Sequence, residues 1–361
     1  MARDITLDDL RRYAVARSLF TPTTLGRAIA RLGFVQADPI RAPARAQDLT
    51  LRHRVRNYRA GDLERRYTSL PIAEDFFVNY GFLPLATQRL MHPRTPRTVW
   101  TPARWHQANE VLAFVRERGV VHPDEVDARF SHGQALNWFG GKSRVSTQLL
   151  DGMHYRGLVH IARRASGVRL YAASAPHDAV SDPAAALDAL VDVVVQKYAP
   201  LPERSLGELV AHLRGGVPQW ADLRRPALLR AKQRLPQAVV DGQRWFWPAG
   251  DSPASTRHAV PESVRLLAPF DPVVWDRRRF EALWGWAYRF EAYTPATKRV
   301  RGYYALPLLW RDRVIGWGNL AVGNGVLKSD IGWVAGRAPR DGGLKTALAE
   351  ELARMGDFLG L

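Results

Sequence analysis

The stretch GLVHIARRASGVRLYA, which spans Gly157–Ala172, decides the fold of this chain. Its two halves are rich in apolar residues and flank Ala165–Gly167, a cluster of small residues typical of a tight turn. They therefore predict a β-hairpin with a basic tip. Apolar residues at helical spacing predict a helix over Ser143–Arg156, immediately before the hairpin, and further helices over Trp105–Arg118 and opening within Val121–Val126. Three helices followed by such a hairpin are typical of a winged helix.

The next segment repeats this plan in a weaker form. Helices are predicted over Ala184–Tyr198, Ser205–Leu213 and Arg224–Arg234, and a hairpin is predicted to turn at Asp241–Gly242. The two segments share the order of their elements but no residue-level repeat, so the repetition is architectural. A linker rich in Pro, Ser and Gly follows at Ala249–Pro261.

Beyond the linker the apolar pattern changes from a helical to a strand-like period. Short strands are predicted within Tyr303–Trp310, Arg313–Trp317 and Gly325–Ser329, and a helix over about Gly343–Leu359 follows them. This pattern favours a small β-barrel or a curled sheet. The fold class predicted for the whole chain is mainly α with β (α+β).

The N-terminal part of the chain also begins with helices. Thr6 is predicted to cap a helix over residues 6–19, and a second helix is predicted to end near Gly33. A longer helical region studded with arginine is predicted to continue to about Arg66, and Pro71 marks its exit.

Between these helices, Gln36 and Asp38 stand two residues apart in an otherwise apolar stretch. In an extended backbone they project to the same face, where a carboxylate and an amide can hold and polarise one water molecule. The alternative is that Asp38 merely caps a following helix. Arginines that would suit a phosphate backbone follow closely: Arg41, Arg45, Arg52, Arg54, Arg56 and Arg59. Water activation beside such a cluster predicts hydrolysis on a nucleic acid.

A second segment of interest runs from Leu267 to Tyr304 and interleaves basic residues with aromatic ones. This composition suits phosphate contacts together with stacking on an exposed base. The alternative is an aromatic barrel core with a solvated basic rim. The basic residues predicted to contact DNA from this segment are Arg277, Lys298, Arg299 and Arg301.

The overall charge also favours a polyanionic partner. The formal net charge is +17, and 46 of the 52 basic residues are arginine, the side chain that pairs with phosphate through two parallel hydrogen bonds. The alternative is an arginine-rich proteome. The N-terminus is polar and lacks a signal-peptide core, and no apolar run reaches the length of a membrane span. We therefore expect a cytoplasmic protein with no membrane partner.

Several classes of site are excluded or disfavoured by the sequence. The absence of cysteine excludes disulfides, thiolate metal sites, iron–sulfur clusters and a cysteine nucleophile. There is no glycine-rich phosphate loop, His-Glu-x-x-His pair or Gly-x-Ser-x-Gly elbow, and the ten histidines show no metal-ligand spacing. None of the six lysines has the apolar surroundings expected of a Schiff-base lysine. We therefore expect no metal and no cofactor, and a lyase mechanism is disfavoured.

These residues resemble those of the YcaQ/AlkZ-type winged-helix DNA glycosylases, and the resemblance extends over most of the chain. It rests on Val35–Asp38, on Arg45–Leu49 with Arg54 and Tyr58, and on Pro269–Pro272 through Tyr303–Pro307. The catalytic motif of that family is Gln-apolar-Asp or Gln-apolar-Gln, and Gln36 and Asp38 match the Asp version, as in the YcaQ-like branch. The sequence departs from the family pattern at Trp317–Asn324, which is nearly uncharged where the family carries charge.

The resemblance implies three tandem winged-helix modules followed by a C-terminal β-barrel. The expected domains are residues 1–100, which carry the Gln-Ala-Asp motif, then 101–180, 181–250 and 262–361. It further implies a monomer that acts on double-stranded DNA with alkylated or crosslinked purines, and activity on N7-alkylpurines and interstrand crosslinks.

The mechanism that follows from these residues is monofunctional hydrolysis of the N-glycosidic bond. Asp38 would stabilise the sugar cation and act as the general base, and Gln36 would orient the water. Two alternatives stay open. A non-catalytic winged-helix transcriptional regulator would need a dimerisation element, and no heptad or apolar dimer stripe is present. An RNA-binding or structural protein is favoured only by charge and aromatic content.

Overall fold

The computed structural model describes residues 4–130, 133–136 and 142–361. The chain divides into two compact units. The first comprises the chain up to Leu63 together with Val191–Val210 and Leu228–Leu361, and the second comprises Glu64–Leu190 and Ala211–Ala227. In the described ranges no helix is both long and apolar enough to traverse a bilayer.

Helices and strands both occur throughout the chain, which confirms the mixed α and β fold class. The helices are α1 (Leu7–Ser18), α2 (Leu25–Leu32), α3 (Ala46–Leu51), α4 (Asp62–Arg66), α5 (Leu85–Arg89), α6 (Pro102–Arg118), α7 (Pro123–Phe130), α8 (Val145–Tyr155), α9 (Pro183–Tyr198), α10 (Glu203–His212), α11 (Arg224–Arg234), α12 (Arg277–Trp284) and α13 (Leu344–Leu359). The strands are β1 (Val35–Gln36), β2 (Ile72–Phe76), β3 (Tyr80–Pro84), β4 (Val120–Val121), β5 (Gln134–Leu136), β6 (Lys142–Arg144), β7 (Val159–Ala165), β8 (Val168–Ala173), β9 (Leu201–Pro202), β10 (Gln237–Val240), β11 (Gln243–Phe246), β12 (Val264–Leu266), β13 (Leu306–Trp310), β14 (Arg313–Gly323) and β15 (Val326–Trp333).

The second unit contains the predicted winged helix. Helices α6, α7 and α8 precede the antiparallel hairpin β7–β8, and β4 completes a sheet of order β4-β8-β7. The turn places Ser166 at φ 49° and Gly167 at φ 86°, the left-handed pair that a two-residue hairpin loop requires. Val115, Leu149 and Tyr171 are buried in its core. The small residues of the turn were therefore a correct local signal.

The same order of elements recurs from α9 to β11. Strands β10 and β11 form a hairpin, and β9 completes a sheet of order β10-β11-β9. Asp241 and Gly242 again adopt left-handed conformations at φ 50° and 73°. The third helix, Arg224–Arg234, has the bounds expected from the sequence.

The N-terminal part differs from the expected long helical region. The short helices α3 and α4 are separated by an irregular segment, and an antiparallel hairpin, β2–β3, follows them. Glu74 and Asp75 interrupt the apolar pattern of β2, which hid this strand in the sequence. Both carboxylates are buried because cations from the same unit neutralise them: Arg164 donates to Glu74, and Arg94 donates to Asp75 at 3.0 Å.

The C-terminal strands form an antiparallel sheet of order β12-β13-β14-β15. The sheet formed by the described residues has four strands. Val15 of α1 and Leu19, its C-cap residue, pack into the same core as Phe280 and Trp286. The N-terminal helix is thereby fixed against the domain that supplies the second basic and aromatic segment.

Candidate active site

Strand β1 is positioned by a tight turn at the end of α2. Gly33 adopts a left-handed conformation at φ 67°, and a Cβ there would lie 2.6 Å from Cγ1 of Val193 on α9. Only glycine accommodates both the backbone angle and the close approach. The helix therefore ends at this residue, and the chain enters the short strand that presents Gln36.

The side-chain amide of Gln36 has a fixed orientation. Its Oε1 accepts a hydrogen bond of 2.7 Å from Nε1 of Trp275, and Gln36 is only 6% exposed. Because an indole nitrogen can only donate, the amide atom facing it must be the oxygen. The Nε2 atom of Gln36 makes no hydrogen bond with the described residues, so its two N–H groups are available to another molecule.

The carboxylate of Asp38 is held by the backbone on one side. Its Oδ1 accepts from the backbone N–H of Ile40 at 2.9 Å, and its own backbone N–H donates to Oε1 of Gln47 at 3.2 Å. Oδ2 has no hydrogen-bond partner among the residues described. Helix α3 begins well beyond this point and has Arg45 as its N-cap residue. Asp38 therefore forms a local turn with Ile40 and does not cap α3.

Burial changes the acid–base character of Asp38, which is 9% exposed. Desolvation raises the pKa of its carboxyl group, and the hydrogen bond from Ile40 only partly opposes this shift. A carboxylate with a raised pKa is a stronger base than an exposed one. It also gains more from a nearby positive charge, because water competes less for it.

An aromatic cluster surrounds Phe290. The Phe290 ring packs against the rings of Phe270, Tyr293 and Tyr304, with centroid distances of 5.3, 5.9 and 5.1 Å. Burial raises the pKa of the Tyr304 and Tyr293 phenols, and the charge of Asp38 raises both further. Tyr293 is 79% exposed and therefore offers a ring face to an incoming base.

A buried lysine supports the chain just before the motif, contrary to our expectation that no lysine lies in an apolar environment. Lys197 on α9 is 4% exposed, and its Nζ donates a hydrogen bond to the backbone oxygen of Phe34. Burial, together with the charge of Arg54, lowers the pKa of Lys197 to about 7 against the opposing effect of Asp271. The signal in the sequence was the apolar run of α9 that contains this residue.

Two of the arginines predicted to contact phosphate are structural, which corrects that prediction for them. Arg54 is fully buried and donates to both carboxylate oxygens of Asp271, at 2.7 and 2.9 Å, and to two backbone oxygens. The Arg52 side chain is 4% exposed and forms an ion pair with Glu351. A buried guanidinium needs such partners. In Arg54 these contacts occupy all three guanidinium nitrogens, whereas the hydrogen bonds of Arg52 use Nη2.

The remaining predicted DNA contacts reach solvent to different degrees. Arg41, Arg277 and Lys298 are exposed, whereas Arg45, Arg299 and Arg301 are half-buried. Arg299 lies over the Tyr303 ring at 5.0 Å, and Arg301 over the Trp286 ring at 5.0 Å. The predicted basic and aromatic interleaving of this segment is therefore present as stacked pairs.

Other residues that carry the family resemblance also have structural roles. Tyr58 donates to Oδ1 of Asp48 at 2.7 Å and accepts from the backbone N–H of Leu63 at 3.1 Å. These bonds brace the irregular segment between α3 and α4. In the described part of the chain, no group of three or more His, Asp or Glu side chains is arranged to hold a metal ion.

Comparison with known proteins gives two findings. The profile of the family described as "DNA glycosylase AlkZ-like" matches residues 29–358. The solved structure of Streptomyces sahachiroi DNA glycosylase AlkZ is similar, with a TM-score of 0.63 and 14% sequence identity. That match covers 99% of this chain and 98% of the other chain, and at this identity it shows the fold.

Proposed function

Because the chain belongs to the AlkZ-like DNA glycosylase family, we propose that it excises N7-alkylated purines from double-stranded DNA as a monofunctional glycosylase. The family assignment makes the protein a DNA glycosylase of DNA repair and disfavours a non-catalytic regulator. One observation carries the finer proposal. A desolvated carboxylate, Asp38, stands two residues from an amide, Gln36, whose orientation is fixed by Trp275.

The proposed chemistry depends on the charge of the substrate. An N7-alkylated purine is already cationic, so its bond from N9 to C1′ is weak and needs little acid assistance. As this bond breaks, its electron pair moves to the purine and neutralises the charge, and an oxocarbenium-like sugar forms. Asp38 stabilises that cation and accepts a proton from the water whose oxygen bonds to C1′. Gln36 donates from Nε2 to the same water oxygen and holds it in place.

The aromatic cluster supports recognition of the base. Tyr293 of the cluster is exposed, and the charge of Asp38 acts on its phenol. Tyr303 is exposed as well. Stacking of a base on an aromatic ring contributes about 1–3 kcal/mol. A cationic purine gains further from the electron-rich ring face. A neutral base gains neither the attraction between a cation and the ring face nor the attraction to Asp38. This difference is the proposed origin of selectivity.

We propose that DNA phosphates are bound by the predicted basic residues that reach solvent. These are Arg41, Arg45, Arg277, Lys298, Arg299 and Arg301. The net charge of +17 supports long-range attraction of the duplex. The proposal also includes the unhooking of interstrand crosslinks, which the Gln-apolar-Asp form of the motif supports. It further includes action as a monomer and a cytoplasmic location.

The proposal is tested with a labelled duplex that contains one N7-methylguanine, followed by hot alkali. We expect strand scission only after alkali, since hydrolysis leaves an intact abasic site, and no scission of the matched duplex with unmodified guanine. A crosslinked duplex tests unhooking in the same assay. Scission without alkali would contradict monofunctional hydrolysis, and binding of the methylated duplex without any base release would contradict the proposed substrate.

A further inference from the structure

A cavity of about 680 Å³ lies within the first unit, and neither Gln36 nor Asp38 lines it. Its walls come from the segment after α3, from β12 and the residues before it, and from α13. Arg52, Arg59, Arg265 and Arg354 line the cavity. A space of this size is typical of small-molecule sites.

The charges around the cavity do not balance. Its lining contains four arginines but only two carboxylates, Glu351 and Asp357. Glu351 is 1% exposed and is shared by two of the arginines: Arg52 forms an ion pair with it, and Arg354 approaches to 3.2 Å. The Nε of Arg52 is buried without a hydrogen-bond partner among the described residues. The side chains that line the cavity therefore carry excess positive charge, and the Nε of Arg52 is an unused hydrogen-bond donor among them.

Arg265 shows the excess positive charge of the cavity lining most clearly. It is half-buried on β12, and its side chain forms no ion pair or hydrogen bond within the described part of the chain. Burial lowers the pKa of its guanidinium, and the charges of Arg54, Arg354 and Arg52 lower it further, against the opposing effect of Glu351. A half-buried cation among like charges is costly without a counter-ion. An anion in the cavity would remove this cost.

We propose that this cavity binds the phosphate group of an anion. Guanidinium groups match phosphate oxygens through paired, charge-assisted hydrogen bonds, and Arg265 and Arg59 lie at the cavity with such donors. The stacked rings of Tyr58 and Phe358, with centroids 6.3 Å apart, add an apolar wall. The phosphate can belong to a free small anion or to a DNA strand, and the chemistry of the site is the same for both.

The test is calorimetric titration of inorganic phosphate into the full chain at constant ionic strength. We expect one site, which weakens about tenfold in Arg265→Gln and in Arg59→Gln, since each variant removes one charge-assisted interaction. Arg340→Gln, an exposed arginine outside the cavity, is the matched control and should bind like the wild type. Arg59 is solvent-exposed, so its variant keeps the test valid if Arg265→Gln does not fold.

A second arm identifies the source of the phosphate. The titration is repeated on protein saturated with undamaged duplex. Loss of the phosphate signal would assign the cavity to a DNA phosphate, and an unchanged isotherm would assign it to a free anion; either result supports the site. The site would be overturned if the wild type bound no phosphate, or if both cavity variants bound phosphate as tightly as the wild type. Base excision is not measured, so this result is independent of the proposed glycosylase reaction.

Discussion

The indole Nε1 of Trp275 donates a hydrogen bond to Oε1 of Gln36 at 2.7 Å, across 239 residues of sequence. This contact joins the two segments that the sequence marks for function, the Gln-Ala-Asp motif and the segment that begins at Leu267. It leaves the amide nitrogen of Gln36 as the group able to hold a water molecule. The orientation of the Gln36 amide therefore depends on Trp275, a residue outside the Gln-Ala-Asp motif.

Replacing Trp275 by phenylalanine is expected to lower excision about tenfold while duplex affinity stays close to that of the wild type. The ring is kept but the donor is lost, so the Gln36 amide is free to rotate. Single-turnover excision and binding to an uncleaved duplex measure the two quantities. Trp284→Phe is the matched control, because it removes an indole hydrogen bond of 2.8 Å to Asp312 elsewhere in the fold. Equal excision rates for both variants would contradict the role given to Trp275.

Excision is expected to fall at acidic pH, starting above the usual carboxyl range. Asp38 must be ionised to accept a proton, and burial raises its pKa. The rate should therefore decrease as pH drops through this raised pKa, with a limiting slope of one in a logarithmic plot. The profile is measured under single-turnover conditions at constant ionic strength. A rate that stays constant down to the pKa of an exposed carboxyl group would contradict a buried base.

The stability of the protein is expected to rise with pH through a window that Lys197 sets. Its folded-state pKa is lowered to about 7 from the ordinary lysine value of 10.5. Between these values the unfolded chain binds more protons than the folded one, so the free energy of unfolding increases as pH rises. Below about pH 7 both states are protonated, and the folded state carries the full cost of the buried charge.

Comparison of wild type with Lys197→Met isolates this effect. The melting temperature of the wild type, relative to the variant, should increase from about pH 6 to about pH 9. Groups that titrate in both proteins do not contribute to this difference in melting temperature. A difference that is independent of pH would show that Lys197 keeps an ordinary pKa in the folded protein.

Arg54→Met is expected to reduce stability by about 3–5 kcal/mol, because it leaves the Asp271 carboxylate buried without its partner. The folded fraction should bind duplex DNA like the wild type.

Arg41→Gln provides the contrast to Arg54→Met, because Arg41 is exposed. This replacement should leave stability unchanged but reduce the slope of log binding constant against log salt concentration by about 0.9. Denaturant unfolding and binding at several salt concentrations measure both. A loss of duplex affinity confined to Arg54→Met would reverse the two assignments.

Local elements of this fold could be predicted from the sequence because their signals are local. Gly167 favours a turn because glycine adopts positive φ readily, and the composition of Arg224–Arg234 predicts a helix. The β2 strand was missed because Glu74 and Asp75 look exposed until their distant cationic partners are known.

The candidate site was predictable only in part for the same reason. The spacing of Gln36 and Asp38 predicts a site, and the structure shows both nearly buried on one short segment. Their supports lie far away in sequence: Trp275 holds Gln36, and Lys197 holds the backbone at Phe34. Arg54 looked like a phosphate contact because nothing near it in sequence indicates its pairing with Asp271. Such contacts arise from tertiary packing, which residue spacing does not encode.

The most direct test of the central claim is single-turnover excision of N7-methylguanine by Asp38→Asn, beside Asp241→Asn as an exposed control of the same chemistry. A general base contributes about 10²–10⁴-fold, so we predict a loss of that size for Asp38→Asn and none for Asp241→Asn. Duplex affinity should be retained, and the melting temperature of Asp38→Asn at neutral pH should equal or exceed that of the wild type, since a buried charge is removed. Wild-type excision by a folded, DNA-binding Asp38→Asn protein would contradict the account.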